Sequence, residues 1–262
     1  MQELPPRIEV TGLAVDPVDR RQLFNYVVAA ARDRSVRRTV GYLNVHVANL
    51  AAHDALLRQY LNELCDLVYC DGKGIGWGAR LQGLPEPPRM TAADWLPDLL
   101  GCCKEKDLRV FVIAGKPGVV ERAVAEIDSR IGGLVGGLDP IGSHNGYVAS
   151  PEKTASAIDA ANAFNADVVL VGMGSPIQEH WVLTNRDRLN APVVWALGAT
   201  FDYYAGEQAR GPEWLRRAGH EWAARLIADP GRLWRRYVLG NPQFLWRAYW
   251  WRRSDLATDG HR

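Results

Sequence analysis

The chain has 262 residues, enough to bury a sizeable core. Its 47% hydrophobic content and net charge of +1 are those of a soluble globular protein and exclude a disordered or fibrous chain. The charge is unevenly placed: residues 1–206 carry 20 Lys and Arg against 24 Asp and Glu, whereas residues 207–262 carry 11 Arg, no Lys and 6 acids. A basic end on an acidic body points to phosphate, nucleic acid or an anionic membrane. Arginine in particular suits bidentate contacts to phosphate oxygens. Cys65, Cys70, Cys102 and Cys103 form no CxxC and read as reduced thiols. The first residues lack the basic-then-apolar layout of a signal peptide. No apolar run approaches the roughly 18–20 residues of a membrane span. The expected location is therefore the cytosol.

Residues 8–15 read as one or two short strands around Gly12. Residues 17–33 have helical spacing, with Leu23, Tyr26, Val27 and Ala30 on one side. Thr39–Leu43 is a β-branched and aromatic run that predicts a strand ending at Asn44, and helical segments fill 45–64. A second buried strand, Leu67-Val68-Tyr69-Cys70, stops at Asp71-Gly72 and gives way to a glycine-rich helix start. Thr91 stands three residues before Asp94, the spacing of a capping box, and starts a helix over 92–104. Arg109–Ala114 is a buried strand, followed by a helix to about residue 131. A further strand is expected near Leu134–Leu138, with a loop through Asn145-Gly146-Tyr147. Ser150-Pro151 supplies an N-cap and first residue for a helix over 152–163. Asp167–Val171 and Val193–Leu197 are strands on either side of a helix over 177–188. This alternation predicts an α/β domain with a mostly parallel sheet and helices on both faces.

After Gly206 the character changes. Pro-led helices are expected at Pro212, Asp229-Pro230 and Asn241-Pro242, the last two with an Asx residue as N-cap. Six of the ten tryptophans lie here among the arginines. Residues 207–262 thus read as a helical appendage to an α/β body over 1–206.

Parallel strands aim their carboxyl ends one way, so the polar groups that follow them should meet in one crevice. These are Asn44, Asp71, the Gly172–Gln178–Glu179 stretch and Gly198-Ala199-Thr200-Phe201-Asp202. Taken alone, Asp71-Gly72 is a simple turn. The glycine-rich turns at 72–78 and 172–174 allow a backbone to approach phosphate at a helix N-terminus. Neither has GxGxxG spacing, and no Walker A sequence occurs. The chain contains no Asp-x-Asp and no His-x-x-x-His. An enzyme releasing a diphosphate would need another source of positive charge, and the arginine tail is the obvious one. Arg232, Arg235 and Arg236 fall at i, i+3 and i+4 on one helical face; solvated surface arginines are the plain alternative. The interleaved Trp and Arg suit a helix lying in a membrane interface or a nucleic-acid surface. The absence of Lys and the Trp250-Trp251 pair favour the membrane.

Several motifs then fall in one order: Asn44; Asp71-Gly72; Arg89-x-Thr91-x-x-Asp94; Gly172-x-Gly174-x-Pro176-x-Gln178-Glu179 with Trp181; Gly198-Ala199-Thr200-Phe201-Asp202 with Ala205-Gly206; Arg210-Gly211-Pro212-x-Trp214; Glu221-Trp222-x-x-Arg225; and Pro230-x-Arg232-x-x-Arg235-Arg236-Tyr237. From about Ile8 to Tyr237 the chain resembles the WecG/TagA/CpsF glycosyltransferases, glycosyltransferase family 26. The resemblance implies a Rossmann-like body with a C-terminal helical appendage, GT-E-like. It also implies a peripheral enzyme on the inner membrane face, moving a sugar from a UDP-sugar to a polyprenyl-diphosphate-linked saccharide, with inversion and without a metal or cofactor. By motif, Asp71 matches the general base, and Arg225, Arg232 and Arg235 match arginines that close over the diphosphate. Asn44, Gly172, Gln178, Glu179, Asp202 and Tyr147 fall to the substrate pocket. No nucleic-acid partner is implied, and a homo-oligomer is allowed. Tyr42 stands where the family commonly has Thr, Ala92 where Gly is usual and Gly211 where Ala is usual. A non-catalytic UDP-binding membrane adaptor on the same fold is the alternative reading.

Overall fold

The structure is a computed structural model that describes residues 4–131, 141–146, 148, 150–208, 211–212, 215 and 221–259; the side chains of Glu221, Arg232 and Ser254–Asp259 lie outside it. Six strands form one parallel sheet: β3 (Arg38–Leu43), β4 (Leu67–Cys70), β5 (Val110–Ala114), β6 (Ile141–Asn145), β7 (Val168–Gly172) and β8 (Val193–Ala196), in the order β4-β3-β8-β7-β5-β6. β4, β5, β7 and β8 are buried at every residue. Continuous apolar runs of this kind are what a parallel sheet covered on both faces requires. Between the strands run α1 (Arg20–Arg32), α2 (Val45–Ala51), α3 (Ala55–Gln59), α4 (Lys73–Leu81), α5 (Ala92–Glu105), α6 (Val119–Arg130), α7 (Pro151–Ala163) and α8 (Ile177–Asn185). The Rossmann-like α/β arrangement expected from the alternation is the one observed.

An antiparallel hairpin, β1 (Ile8–Val10) with β2 (Leu13–Val15), closes the β4 edge of the sheet. Asp16 is its clasp. The Asp16 carboxylate accepts two hydrogen bonds from Arg7, at 2.9 and 2.8 Å, and one from the Val68 amide at 2.6 Å. The edge of the strand that carries Asp71 is thereby covered, which also removes an open ladder.

Three expectations need correcting. The sixth strand is Ile141–Asn145, a stretch read as loop, while residues 134–138 lie outside the described residues. Ile-Gly-Ser-His-Asn has one large apolar side chain and only its first residue is buried, as suits the end of a sheet order. It therefore gives no hydrophobic signal. The Thr91–Asp94 capping box does not form: Thr91 makes no side-chain cap bond, and the Asp94 carboxylate instead accepts from Arg89 at 2.8 Å. An ionic partner is a stronger draw for a carboxylate than a neutral N-cap amide. Finally, Asn241-Pro242 starts no new helix. From Pro230 the chain is helical without a break, through α11 (Pro230–Trp234), a π turn over Arg235–Leu239 and α12 (Gly240–Asp259). A regular helix would drive the Pro242 ring against the Val238 carbonyl; the π turn contains Val238 and widens the helix there. The helix expected from Pro212 lies mainly outside the described residues. Before α11 comes α10 (Glu221–Ala228), and after β8 comes the short α9 (Thr200–Tyr204).

The last helix is fastened to the body. Phe244 and Ala248 are fully buried. The Phe244 ring lies where a β-carbon on Gly78 of α4 would come within 2.6 Å, so only glycine allows this approach. Arg247 donates to Asn49 Oδ1 at 2.6 Å, and Asn49 donates to the Gly240 carbonyl at 2.7 Å. The opposite side of α12 exposes Trp246, Tyr249 and Trp250. The tryptophans therefore divide: Trp251 packs over Gly12 of the hairpin, and Trp246 and Trp250 face outward. Among the described residues no helix is long and apolar enough to cross a membrane.

Candidate active site

The register of the sheet builds the centre of the site. Leu43 of β3 pairs with Cys70 of β4, so the next residues, Asn44 and Asp71, emerge side by side at the carboxyl edge. Asn44 is the N-cap of α2: its amide oxygen accepts from Val47 N at 3.0 Å, which turns its NH₂ toward Asp71 Oδ2 at 3.1 Å. One side chain thus ends a strand, starts a helix and orients the carboxylate.

Asn44 and Asp71 line a cleft of two lobes. Both lobes are walled by Asn44, His46, Asp71, Thr91, Arg225, Arg236 and Tyr237. The outer lobe adds Lys73, Arg89 and an apolar side formed by Trp77, Trp222 and Leu245. The inner lobe runs under the sheet edge past Tyr42, Ser175, Gly198 and Tyr203. Among the described residues, Asp71 is the only carboxylate that lines either lobe. Arg225 projects from α10, with its guanidinium 4.8 Å from the Tyr203 ring centre. Arg236 comes from the π turn, and its buried Nε has no hydrogen-bond partner among the described residues. Burial and the neighbouring Arg236 charge push the His46 pKa down to about 4, so the ring is neutral at pH 7.

A separate recess lies next to the inner lobe, and Gln208 lines both. It sits where β5 and β7 adjoin and their chains depart oppositely, β5 toward β6 and β7 toward β8. Ligands of open α/β sheets bind at such a switch point. Gly115, Lys116, Gly172 and Asp202 line this recess.

The positions named from the sequence therefore separate. Asn44, Asp71 and Arg225 meet in the two-lobed cleft, and Gly172 and Asp202 meet in the recess. Gln178 and Glu179 are buried behind the wall and line neither. Gln178 Oε1 accepts from Gly198 N at 3.0 Å, and its NH₂ reaches Glu179 Oε1 at 2.8 Å. Glu179 Oε1 also accepts from the Ser175 hydroxyl at 2.6 Å, and Ser175 lies 3.0 Å from the Tyr42 hydroxyl. These bonds tie β3, through Tyr42, to the chain that follows β7 and β8. Gly198 is required here, since its φ is +65° and a β-carbon would fall 2.7 Å from the Tyr42 hydroxyl. Arg235 is exposed, with its guanidinium 5.4 Å from the Trp234 ring centre, and the neighbouring Arg236 takes the place in the wall. Adjacent residues stand about 100° apart around a helix, so Arg236 can face the cleft while Arg235 does not. Tyr147 and the side chain of Arg232 lie outside the described residues. His46 and Lys73 were not singled out from the sequence. Each stands three residues past the last residue of a strand, in the first turn of a helix, and that position is the available signal.

Glu179 carries its own consequence. Burial raises its pKa from the ordinary 4.5, against hydrogen bonds from Ser175 and Gln178 that lower it. A carboxyl with a raised folded value contributes stability that is full below its unfolded pKa and lost as pH rises through the folded one. Glu179→Gln keeps an oxygen for Ser175 and Gln178 and removes the buried charge. Its melting temperature should exceed that of the unsubstituted protein at pH 7–8, and the two should converge near pH 4. Thermal unfolding across pH checks this.

A six-stranded parallel sheet with helices between its strands defines the class by fold: a Rossmann-like α/β protein. The sequence pattern of the glycosyl transferase WecG/TagA/CpsF family matches residues 8–257, and the chain belongs to that family. It is an enzyme, a glycosyltransferase. It is 30% identical to the N-acetylglucosaminyldiphosphoundecaprenol N-acetyl-beta-D-mannosaminyltransferase of Bacillus subtilis (strain 168) over 202 residues, 76% of this chain and 75% of that one. It is 22% identical to the protein of the same description from Staphylococcus aureus (strain NCTC 8325 / PS 47) over 228 residues, 87% of each.

Proposed function

We propose that the enzyme moves a sugar from a UDP-sugar to a polyprenyl-diphosphate-linked saccharide, with inversion and without a metal, in the synthesis of a cell-surface polysaccharide. The observation that carries this reading is the Asp71 carboxylate, the one carboxylate of the cleft among the described residues, oriented by Asn44 and sharing the cleft with Lys73, Arg89, Arg225 and Arg236. In a single displacement the acceptor oxygen bonds to the anomeric carbon as the bond to the UDP β-phosphate oxygen breaks. The acceptor proton passes to Asp71, and the charge that builds on the diphosphate meets the arginines. The switch-point recess with Gly172 and Asp202 suits the nucleotide, and the outer lobe with its apolar side suits the lipid acceptor. The names of the relatives make N-acetylmannosamine the first donor sugar to test and N-acetylglucosaminyl-diphosphoundecaprenol the first acceptor.

The test is transfer of radiolabelled sugar from the UDP-sugar to the lipid-linked acceptor in the presence of EDTA. Transfer is expected. Binding of UDP without transfer would turn the reading to the adaptor.

The outward side of α12 supports a place on the inner face of the cell membrane. Trp246 and Trp250 are 66% and 46% exposed, with Arg253 stacked 5.4 Å from the Trp250 ring centre. Aromatic rings with arginine tips favour the headgroup region. Replacing Trp246 and Trp250 together by Ser is expected to lower partitioning onto anionic vesicles about tenfold or more. Unchanged sedimentation with vesicles would contradict it.

A further inference from the structure

His46 has no place in the mechanism above, yet it stands in the wall common to both lobes. Two of its neighbours in that wall have defined contacts: Asn44 caps α2 and orients Asp71, and Arg225 lies over Tyr203. Among the described residues, His46 makes no hydrogen bond. Its one marked interaction is the repulsive field of Arg236. This half-buried imidazole borders the open cleft, so its ring nitrogens are left to solvent or to a ligand bound there. The neutral ring offers one N–H donor and one acceptor nitrogen, which matches a sugar hydroxyl, itself donor and acceptor. The guanidinium beside it matches a phosphate. A neutral two-way hydrogen-bonding group next to a cation reproduces, in complement, a sugar attached directly to a diphosphate.

We infer that His46 is a substrate-binding residue that holds a hydroxyl of a sugar-1-diphosphate at the junction of the two lobes, while Arg236 holds its phosphate. This inference rests on the proposed transfer reaction and adds to it the residue that seats the sugar. Both substrates are sugar-1-diphosphates, the UDP-sugar as donor and the lipid-linked saccharide as acceptor. Position favours the acceptor, because His46 follows Val45, which lines the outer lobe only. Seated there, the acceptor sugar would have its nucleophilic hydroxyl turned toward Asp71.

The test compares the unsubstituted enzyme with His46→Ala and His46→Gln. KM and kcat are measured for UDP-N-acetylmannosamine and for a short-chain prenyl-diphosphate-linked N-acetylglucosamine. His46→Ala should raise the acceptor KM about five- to tenfold, the scale of one lost hydrogen bond, with a smaller change in kcat. His46→Gln should restore much of the loss, since an amide both donates and accepts. A rise in the donor KM instead would assign the bound hydroxyl to the donor sugar. In parallel, the His46 ring resonances of the unsubstituted protein should shift on addition of the substrate concerned, a readout that survives poor folding of a variant. Unchanged KM for both substrates together with unmoved ring resonances would overturn the inference while transfer by the unsubstituted enzyme left the proposed reaction standing. Absence of both transfer and binding by the unsubstituted enzyme would reject the two together.

Discussion

Asp71→Asn is expected to lower kcat by about 10²–10⁴ while leaving the KM for the UDP-sugar within a few fold, the signature of a lost general base. The replacement is nearly isosteric. Its side-chain oxygen can still accept the Asn44 amide bond now made at 3.1 Å, so the geometry of the strand end should persist. What disappears is the negative oxygen that receives the acceptor proton. The lobes offer no second carboxylate among the described residues to take over. Steady-state kinetics with an established donor decide the point. Full turnover by Asp71→Asn would remove Asp71 from the chemistry.

Arg236→Ala should lower kcat/KM by about 10²–10³, the cost of removing one preorganised charge from a developing anion. Arg235→Ala should cost less than about tenfold with a soluble acceptor. The two residues are adjacent, but the structure treats them differently. Arg236 lines both lobes, its Nε without a partner among the described residues, whereas Arg235 is exposed against Trp234. Arg236→Lys should recover only part of the loss, because an ammonium cannot reproduce the planar fork of a guanidinium on a diphosphate. The comparison of the two alanine variants is the informative one. A larger loss at Arg235 than at Arg236 would mean that the π turn is phased differently in the working enzyme.

The sheet was legible because its strands are buried runs with no competing pattern. Leu67–Cys70 and Val168–Gly172 announce themselves by continuous apolar residues between turns. The pairing of Asn44 with Asp71 was legible only as a rule, that parallel strands deliver their ends to one edge. The register that sets Leu43 against Cys70, and hence the two polar residues side by side, is a tertiary fact. β6 was missed for the complementary reason. Its Ser, His and Asn side chains are half-buried, so burial left no mark on composition.

Around the site, the same logic separates what was read from what was not. Gln178 and Glu179 were recognised as special, but their work is behind the wall, where Gln178 fixes Gly198 and Glu179 fixes Ser175. A motif shows that a polar side chain is needed, not which way it faces. Arg235 and Arg236 part company because adjacent residues stand about 100° apart around a helix: Arg236 reaches the cleft wall and Arg235 is exposed. The tryptophans could not be sorted in the sequence, since α12 is apolar on two sides. One side buries Phe244 and Ala248 against the body and the other leaves Trp246 and Trp250 exposed.

The most direct test of a single displacement driven by Asp71 is the anomeric configuration of the product. With an α-linked UDP-sugar and a lipid-diphosphate-linked acceptor, proton NMR of the purified product should show a β linkage, formed in the presence of EDTA. An α linkage would contradict the account, because retention requires either a second covalent step or attack from the face of the departing diphosphate.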